Sequence, residues 1–201
     1  MPSIYQLKPL FQSLLRPVTQ RLAAAHITAN QVTLAALALS CLVGAVIAWQ
    51  PHNGALLLLV PITLFIRMAL NAIDGMLARE HDMKSRLGAV LNELGDVIAD
   101  AVLYLPLALV TGLDSRLVAG LVILGIIVEM TGVVAVQIGA TRNYAGPMGK
   151  SDRAFLFGLI ALLLGLGVAP GLWCTVLLGL GVFLSAATIV NRARHALAEA
   201  P

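Results

Sequence analysis

Two short strings of acids and amides hold the residues of this 201-residue chain best suited to chemistry. The first reads Asn71-Ala-Ile-Asp74-Gly75-Met-Leu-Ala78-Arg79; eight residues later the second reads Gly88-Ala-Val-Leu-Asn92-Glu-Leu-Gly-Asp96. Both lie in strongly apolar flanks. Carboxylates in such surroundings are costly and mark a cation or a reaction.

Helical spacing groups these residues into two stripes. Arg67, Asn71, Asp74 and Ala78 follow one another at steps of four, three and four, and Gly88, Asn92, Asp96 and Asp100 at steps of four, so each set lies on one helical face. The intervening loop is short, which predicts that the two faces stand side by side with their oxygens converging. Carboxylate and amide oxygens without His or Cys partners suit a hard cation, Mg2+ or Mn2+, better than zinc. A hard divalent ion beside phosphates implies phosphoryl transfer, with a carboxylate placed to take the proton of an attacking hydroxyl. Gly75, Ala78 and Gly88 are small where a ligand or a neighbouring helix must come close.

The elements that must position these stripes follow from composition. At 59% hydrophobic and 11% charged residues, the chain is predicted to be an all-α integral membrane protein. Apolar runs near 29–48, 55–76, 88–112, 117–140, 154–168 and 171–190 predict six transmembrane helices. Residues 1–201 read as a single membrane domain: an N-terminal interfacial amphipathic helix over 1–24, a six-helix bundle over 25–191 and a tail over 192–201. In the first part Ile4, Leu7, Leu10, Phe11, Leu14, Leu15, Val18 and Leu22 recur every three or four residues, while Lys8, Gln12, Arg16 and Gln20 take other faces. Charges and Pro9 and Pro17 interrupt it, which argues against a signal peptide.

Orientation follows from Lys and Arg. Lys8, Arg16, Arg21, Arg79, Lys84, Arg86, Arg142, Lys150, Arg153, Arg192 and Arg194 fall on the side of the termini and only Arg116 on the other, which predicts cytoplasmic termini in a bacterial inner membrane. The net charge of +3 reflects this topology and calls for no nucleic-acid partner. Cys41 and Cys174 lie in separate spans and read as small apolar residues; His26, His52, His81 and His195 are scattered and read as solvated or interfacial. Gly125, Gly132 and Gly139 suggest close helix packing or a dimer face. Arg67, Asp100 and Glu129 fall at similar depth, which predicts that Arg67 is held by Asp100 or Glu129.

The two strings together resemble the signature of the CDP-alcohol phosphatidyltransferases: D-x-x-D-G-x-x-A-R, eight residues, then G-x-x-x-D-x-x-x-D. Asp74, Gly75, Ala78, Arg79, Gly88 and Asp96 occupy their places. Ile27-Thr28-Ala29-Asn30-Gln31-Val32-Thr33 looks like that family's T-P-N-x-x-T with Ala29 for proline, and Gly149-Lys150-Ser151-Asp152-Arg153 is similar to its basic loop. The resemblance implies a homodimer that moves the phosphatidyl group of a CDP-activated lipid, CDP-diacylglycerol first, to an alcohol and releases CMP. By the same resemblance Asp74, Gly75, Ala78, Arg79 and Gly88 bind the nucleotide, and Asn71, Asp74, Asn92 and Asp96 hold one or two Mg2+ or Mn2+ ions. Asp96 is the implied general base.

Two positions depart from the signature. Asn71 and Asn92 stand where the family has its first and third aspartates, which removes two negative charges and predicts weaker metal binding or a single tightly held ion. Glu93 and Asp100 are the candidates to compensate. Arg142, Lys150 and Arg153 read either as topological positive charge or as the grip on an acceptor or lipid phosphate. Glycerol 3-phosphate is the first choice of acceptor, with serine, an inositol phosphate and other polyols open. Two alternatives stand beside the enzyme: a catalytically degenerate membrane scaffold and a small ion-coupled transporter.

Overall fold

The computed structural model describes residues 4–144 and 146–200, with side chains from Leu10 onward, so Ile4, Leu7 and Lys8 of the predicted amphipathic pattern lie outside the described side chains. The described residues contain seven α-helices and no strand: α1 Ile4–Ala24, α2 Ala29–Trp49, α3 Leu59–Glu80, α4 Arg86–Tyr104, α5 Ser115–Gln137, α6 Lys150–Gly165 and α7 Leu172–Glu199. Short 3-10 helices at Gly54–Leu58 and Leu105–Leu109 precede α3 and follow α4. Helices α2 to α7 fall on the six apolar runs read from the sequence.

Four segments are long and apolar enough to cross a membrane: Ala29–Trp49, Gly54–Glu80, Ser115–Gln137 and Leu172–Glu199. The other two differ for identifiable reasons. Helix α4 carries Arg86, Glu93, Asp96 and Asp100. Helix α6 has 16 residues, about 24 Å of rise against a hydrocarbon core of about 30 Å. Many large apolar side chains are exposed, among them Leu42, Phe65, Ile123, Val176 and Phe183, the inverse of a water-facing surface and the pattern expected where lipid is the solvent. Residues 192–199, read from sequence as part of a tail, continue α7.

Local sequence explains where helices begin and end. Thr28 and Gln31 form a reciprocal cap at the start of α2, with the Thr28 N–H donating to Gln31 Oε1 at 2.8 Å and the Gln31 N–H to Thr28 Oγ1 at 3.3 Å. Ser85 caps α4 by accepting from the Gly88 N–H at 2.9 Å, and Asp114 caps α5 by accepting from the N–H groups of Arg116 and Leu117. Gly139 and Gly167, both at positive φ, close α5 and α6 in turns where the next N–H reaches back to the Ala135 and Leu163 carbonyls.

The chain divides into two compact units. In the first, formed by Met1–Cys41 and Thr63–Ala99, Ala29, Val32, Ile73 and Leu77 make a buried cluster against which Leu15 and Leu22 of α1 pack. Leu10, Leu14 and Val18 of the same helix are exposed. Arg16 reaches Glu80 at 2.9 Å; that bond pushes the Arg16 guanidinium above its ordinary value, although a pair this exposed adds little stability. In the second unit, Leu42–Ile62 with Asp100–Pro201, α5 packs along α7. The buried stripe of α7 runs Cys174, Leu178, Gly181, Ser185, Thr188, Arg192, Ala196, and Tyr104 stacks on Phe157 with ring centroids 4.3 Å apart.

Candidate active site

Within the first unit, a cavity of about 370 Å³ is lined by Ala29, Asn30 and Thr33 of α2, by Asp74, Gly75, Ala78 and Arg79 of α3, by the loop residues Met83, Lys84 and Ser85, and by Gly88, Ala89 and Asn92 of α4. The five residues read as nucleotide-binding, Asp74, Gly75, Ala78, Arg79 and Gly88, all line this one space. Asp74 is 6% exposed, and its Oδ2 accepts from Thr33 Oγ1 at 2.8 Å. The Thr33 hydroxyl also lies 3.1 Å from the Ala29 carbonyl. It has one proton to give, and an ionised carboxylate is the stronger acceptor.

Of the two cavity glycines, Gly88 is the more tightly packed. A Cβ on Gly88 would stand 2.7 Å from Asn30 Oδ1 and 3.0 Å from Ser85 Oγ, and one on Gly75 would stand 3.1 Å from the Arg79 guanidinium. Larger side chains there would displace the polar groups that face the cavity.

One helical turn from Asp74 and Asn92, the second pair meets directly. Asn71 Nδ2 donates to Asp96 Oδ1 at 3.2 Å, and Arg67 Nη2 lies 3.9 Å from the same oxygen. Arg67 is 4% exposed. The four residues read as metal ligands are therefore distributed as Asp74 and Asn92 on the cavity wall and Asn71 bonded to Asp96 a turn along. Their donor atoms are carboxylate and amide oxygens, joined by the hydroxyls of Thr33 and Ser85, and this hard-oxygen set fits Mg2+ or Mn2+. Among the described residues no three His, Cys, Asp or Glu side chains cluster as metal ligands, as expected where asparagine has replaced two carboxylates.

The second unit contains a separate ionic cluster. Arg153 Nη2 lies 3.0 Å from Glu129 Oε1 and 4.0 Å from Asp100 Oδ2; its Nη1 points to the Met148 carbonyl at 3.4 Å. Arg192 donates to the Val128 and Tyr144 carbonyls at 2.8 and 3.0 Å and stands 3.6 Å from Glu129 Oε2. Arg142 Nη2 is also 3.6 Å from Oε2, with its guanidinium 5.0 Å over the Tyr144 ring. Three guanidiniums surround Glu129, and Arg153 also approaches Asp100. Lys150, half-buried, opens α6. Arg142 also lines a second cavity of about 350 Å³ with Thr141, Asn143, Tyr144, His195, Ala198 and Glu199.

Glycines on α5 make room for this cluster. A Cβ on Gly125 would lie 2.9 Å from Arg153 Nε, and one on Gly132 would lie 3.2 Å from the Asn143 carbonyl oxygen, with Arg192 Nη1 at 3.5 Å. At Gly125, one of the positions read from sequence as close helix packing or a dimer face, the close approach is made by the Arg153 side chain. Sequence reading assigned Arg192 to topology alone, yet it is 2% exposed; its place on the three- and four-residue stripe Ser185, Thr188, Arg192, Ala196 was the available signal. Asn30 and Thr33 carried a comparable signal as part of the Thr28–Thr33 segment at the start of the first apolar run.

Comparison with known proteins gives the family and the fold. The profile of the CDP-alcohol phosphatidyltransferase family matches residues 26–190. The chain is 49% identical over 197 residues to the inner membrane protein YnbA of Escherichia coli, covering 97% of this chain and 96% of that one. Two crystal structures of the phosphatidylinositol phosphate synthase PgsA1 of Mycobacterium tuberculosis share the fold. The one with CDP-DAG bound gives a TM-score of 0.77 at 18% identity, covering 90% of this chain and 92% of that chain. The one in complex with manganese and citrate gives 0.76 at 20% identity, covering 90% and 88%. The chain belongs to the CDP-alcohol phosphatidyltransferase family, and it is a transferase of phospholipid biosynthesis.

Proposed function

We propose that this protein transfers the phosphatidyl group of CDP-diacylglycerol to the hydroxyl of a small alcohol, with glycerol 3-phosphate as the acceptor to test first. The observation that carries this reading is the 370 Å³ cavity, which gathers Asp74, the cations Arg79 and Lys84, and three small residues on one wall system. Anionic phosphates find positive charge and donors there, and the flat cytosine finds walls without bulky side chains. The CDP-DAG and manganese held by the PgsA1 structures support the same donor and the same type of ion here.

In the proposed reaction Asp96 accepts the acceptor's hydroxyl proton while that oxygen bonds to the lipid-bearing phosphorus. The bond from this phosphorus to the CMP oxygen breaks, and CMP leaves. Asn71, bonded to Asp96 Oδ1, orients the carboxylate; Thr33 does the same for Asp74. A divalent ion held by Asp74 and Asp96, with amide oxygens of Asn71 and Asn92, supplies charge neutralisation for the diphosphate when bound. Arg142, Lys150 and Arg153 are assigned to the acceptor phosphate, and the placement of Arg142 on the wall of the second cavity supports that role.

The setting is proposed to be a bacterial inner membrane, with one membrane domain of six spans, cytoplasmic termini and a homodimeric assembly. The exposed apolar surface and the four long apolar helices support the membrane setting. Product analysis tests the acceptor. Purified protein with CDP-diacylglycerol and Mn2+ is given a panel of alcohols, and mass spectrometry is expected to find the phosphatidyl product with glycerol 3-phosphate. A product with serine or an inositol phosphate alone would replace the acceptor, and no product with any alcohol would favour the inactive scaffold.

A further inference from the structure

Three side chains of α7 hold the backbone of the segment that joins α5 to α6. Glu199 Oε1 accepts from the Thr141 N–H at 3.1 Å, Arg192 Nη2 donates to the Tyr144 carbonyl at 3.0 Å, and Thr188 Oγ1 accepts from the Met148 N–H at 2.9 Å. As the segment advances from 141 to 148 its anchors step back along α7 from 199 to 188, so it is laid antiparallel to the helix. The described residues of 141–149 are neither helix nor strand. Their backbone groups need partners from elsewhere, and α7 supplies them.

The hold is firmest at the α6 end. Thr188 is buried, and its hydroxyl gives its one proton to the Leu184 carbonyl at 2.8 Å, so it meets Met148 as an acceptor. The Met148 carbonyl in turn receives Arg153 Nη1 at 3.4 Å. Gly146 has φ +148, and a Cβ on it would overlap the Thr188 side chain; the segment passes here with no room for a larger residue. At the other end Glu199 is exposed, and its bond to Thr141 closes one side of the 350 Å³ cavity between 141–144 and the last turns of α7.

Arg142 and Lys150, two of the cations assigned to the acceptor phosphate, stand near the two ends of this segment. Their separation depends on the path of the segment, and that path is set from α7. We propose that Thr188 and Glu199 are positioning residues for acceptor recognition, holding 141–149 so that Arg142 and Lys150 meet one phosphate together. The proposal rests on the acceptor reading above and adds two residues that act through the segment's backbone. Two cations grip one phosphate only at a fixed spacing, and a misplacement of about 1 Å in a bound group can cost on the order of 10²-fold. The Asp74 cavity is lined by α2, α3, α4 and the loop before α4, so loss of an anchor falls on the alcohol and spares the nucleotide.

The test is a split between the two substrates, read on the purified full-length chain in detergent with CDP-diacylglycerol, Mn2+ and glycerol 3-phosphate. Thr188→Val keeps the branched shape and removes the hydroxyl. It is expected to raise KM for glycerol 3-phosphate about tenfold, with kcat and KM for CDP-diacylglycerol little changed, while Thr188→Ser, which keeps the hydroxyl, returns KM to the wild-type value. Glu199→Ala is expected to raise the same KM about threefold, and Glu199→Gln, which keeps an accepting oxygen, to leave it unchanged. If Thr188→Val does not fold by circular dichroism, the Glu199 pair carries the comparison. An unchanged KM for glycerol 3-phosphate, an equal rise in both KM values, or a serine variant as impaired as the valine one would overturn the proposal. If wild type releases no CMP with glycerol 3-phosphate, the acceptor reading falls and hydrogen exchange decides on the anchors. Protection of 141–149 by glycerol 3-phosphate in wild type that is lost in Thr188→Val would keep them as determinants of binding, and no protection would remove them as well.

Discussion

The Asp74 cavity and the Glu129 cluster both place charged side chains among apolar helices, and they satisfy those charges in different ways. Around Asp74 the charged and polar groups surround an open volume, and among the described residues neither Arg79 nor Lys84 is engaged in an ion pair. Around Glu129 the arginines turn inward, onto the Val128, Tyr144 and Met148 carbonyls and onto Glu129 itself. A charge in a low-dielectric setting needs a partner. The protein supplies it in the second region; in the first, buried Asp74 is held by Thr33 while Arg79 and Lys84 are exposed at the cavity wall. Perturbing each region should therefore affect different observables.

The largest expected effect is on turnover. Asp96→Asn removes the proton acceptor while keeping the shape that Asn71 bonds, so CMP release should fall by about 10²- to 10⁴-fold with an unchanged circular dichroism spectrum. Retained turnover would move the base elsewhere. Next is Glu129→Gln, which removes the carboxylate charge that Arg142, Arg153 and Arg192 share. Thermal unfolding should show a loss of about 3 kcal/mol, with KM for CDP-diacylglycerol unchanged. Unaltered stability would mean that the arginines are not held by Glu129 and would erase the contrast between the regions. The smallest effect is expected for Thr33→Val, which deletes the hydroxyl that bonds Asp74 and keeps the branched shape. One hydrogen bond to a charged group corresponds to about tenfold in kcat/KM, with thermal stability little changed.

How much of this was legible in the sequence depends on the range of the interaction. The six apolar runs and the starts of α2 and α4 are local: span hydropathy, a Thr28/Gln31 cap and a Ser85 cap are written in adjacent residues, and the helices fall where these put them. The cavity-lining residues were also legible, since Asp74, Gly75, Ala78 and Arg79 share one helical stretch and a short loop returns the chain to Gly88. Their joint lining of one cavity follows from that proximity. What sequence reading did not supply was partner choice between distant segments. Thr33 stands 41 positions from Asp74, and Arg192 reaches Val128 across 64; no local pattern encodes either pairing. Gly125 shows the same limit: its spacing signals close approach, but only the folded chain identifies the Arg153 side chain as what approaches.

The central claim is that this chain cleaves a CDP-activated lipid at a metal-assisted site built around Asp74 and Asp96. Its most direct test is CMP release by the purified protein from CDP-diacylglycerol, measured with and without divalent ion and with and without glycerol 3-phosphate. CMP formation that needs both additions is the expected result. CMP absent under every combination of ion and alcohol, from protein that is folded and binds Mn2+, would contradict the account.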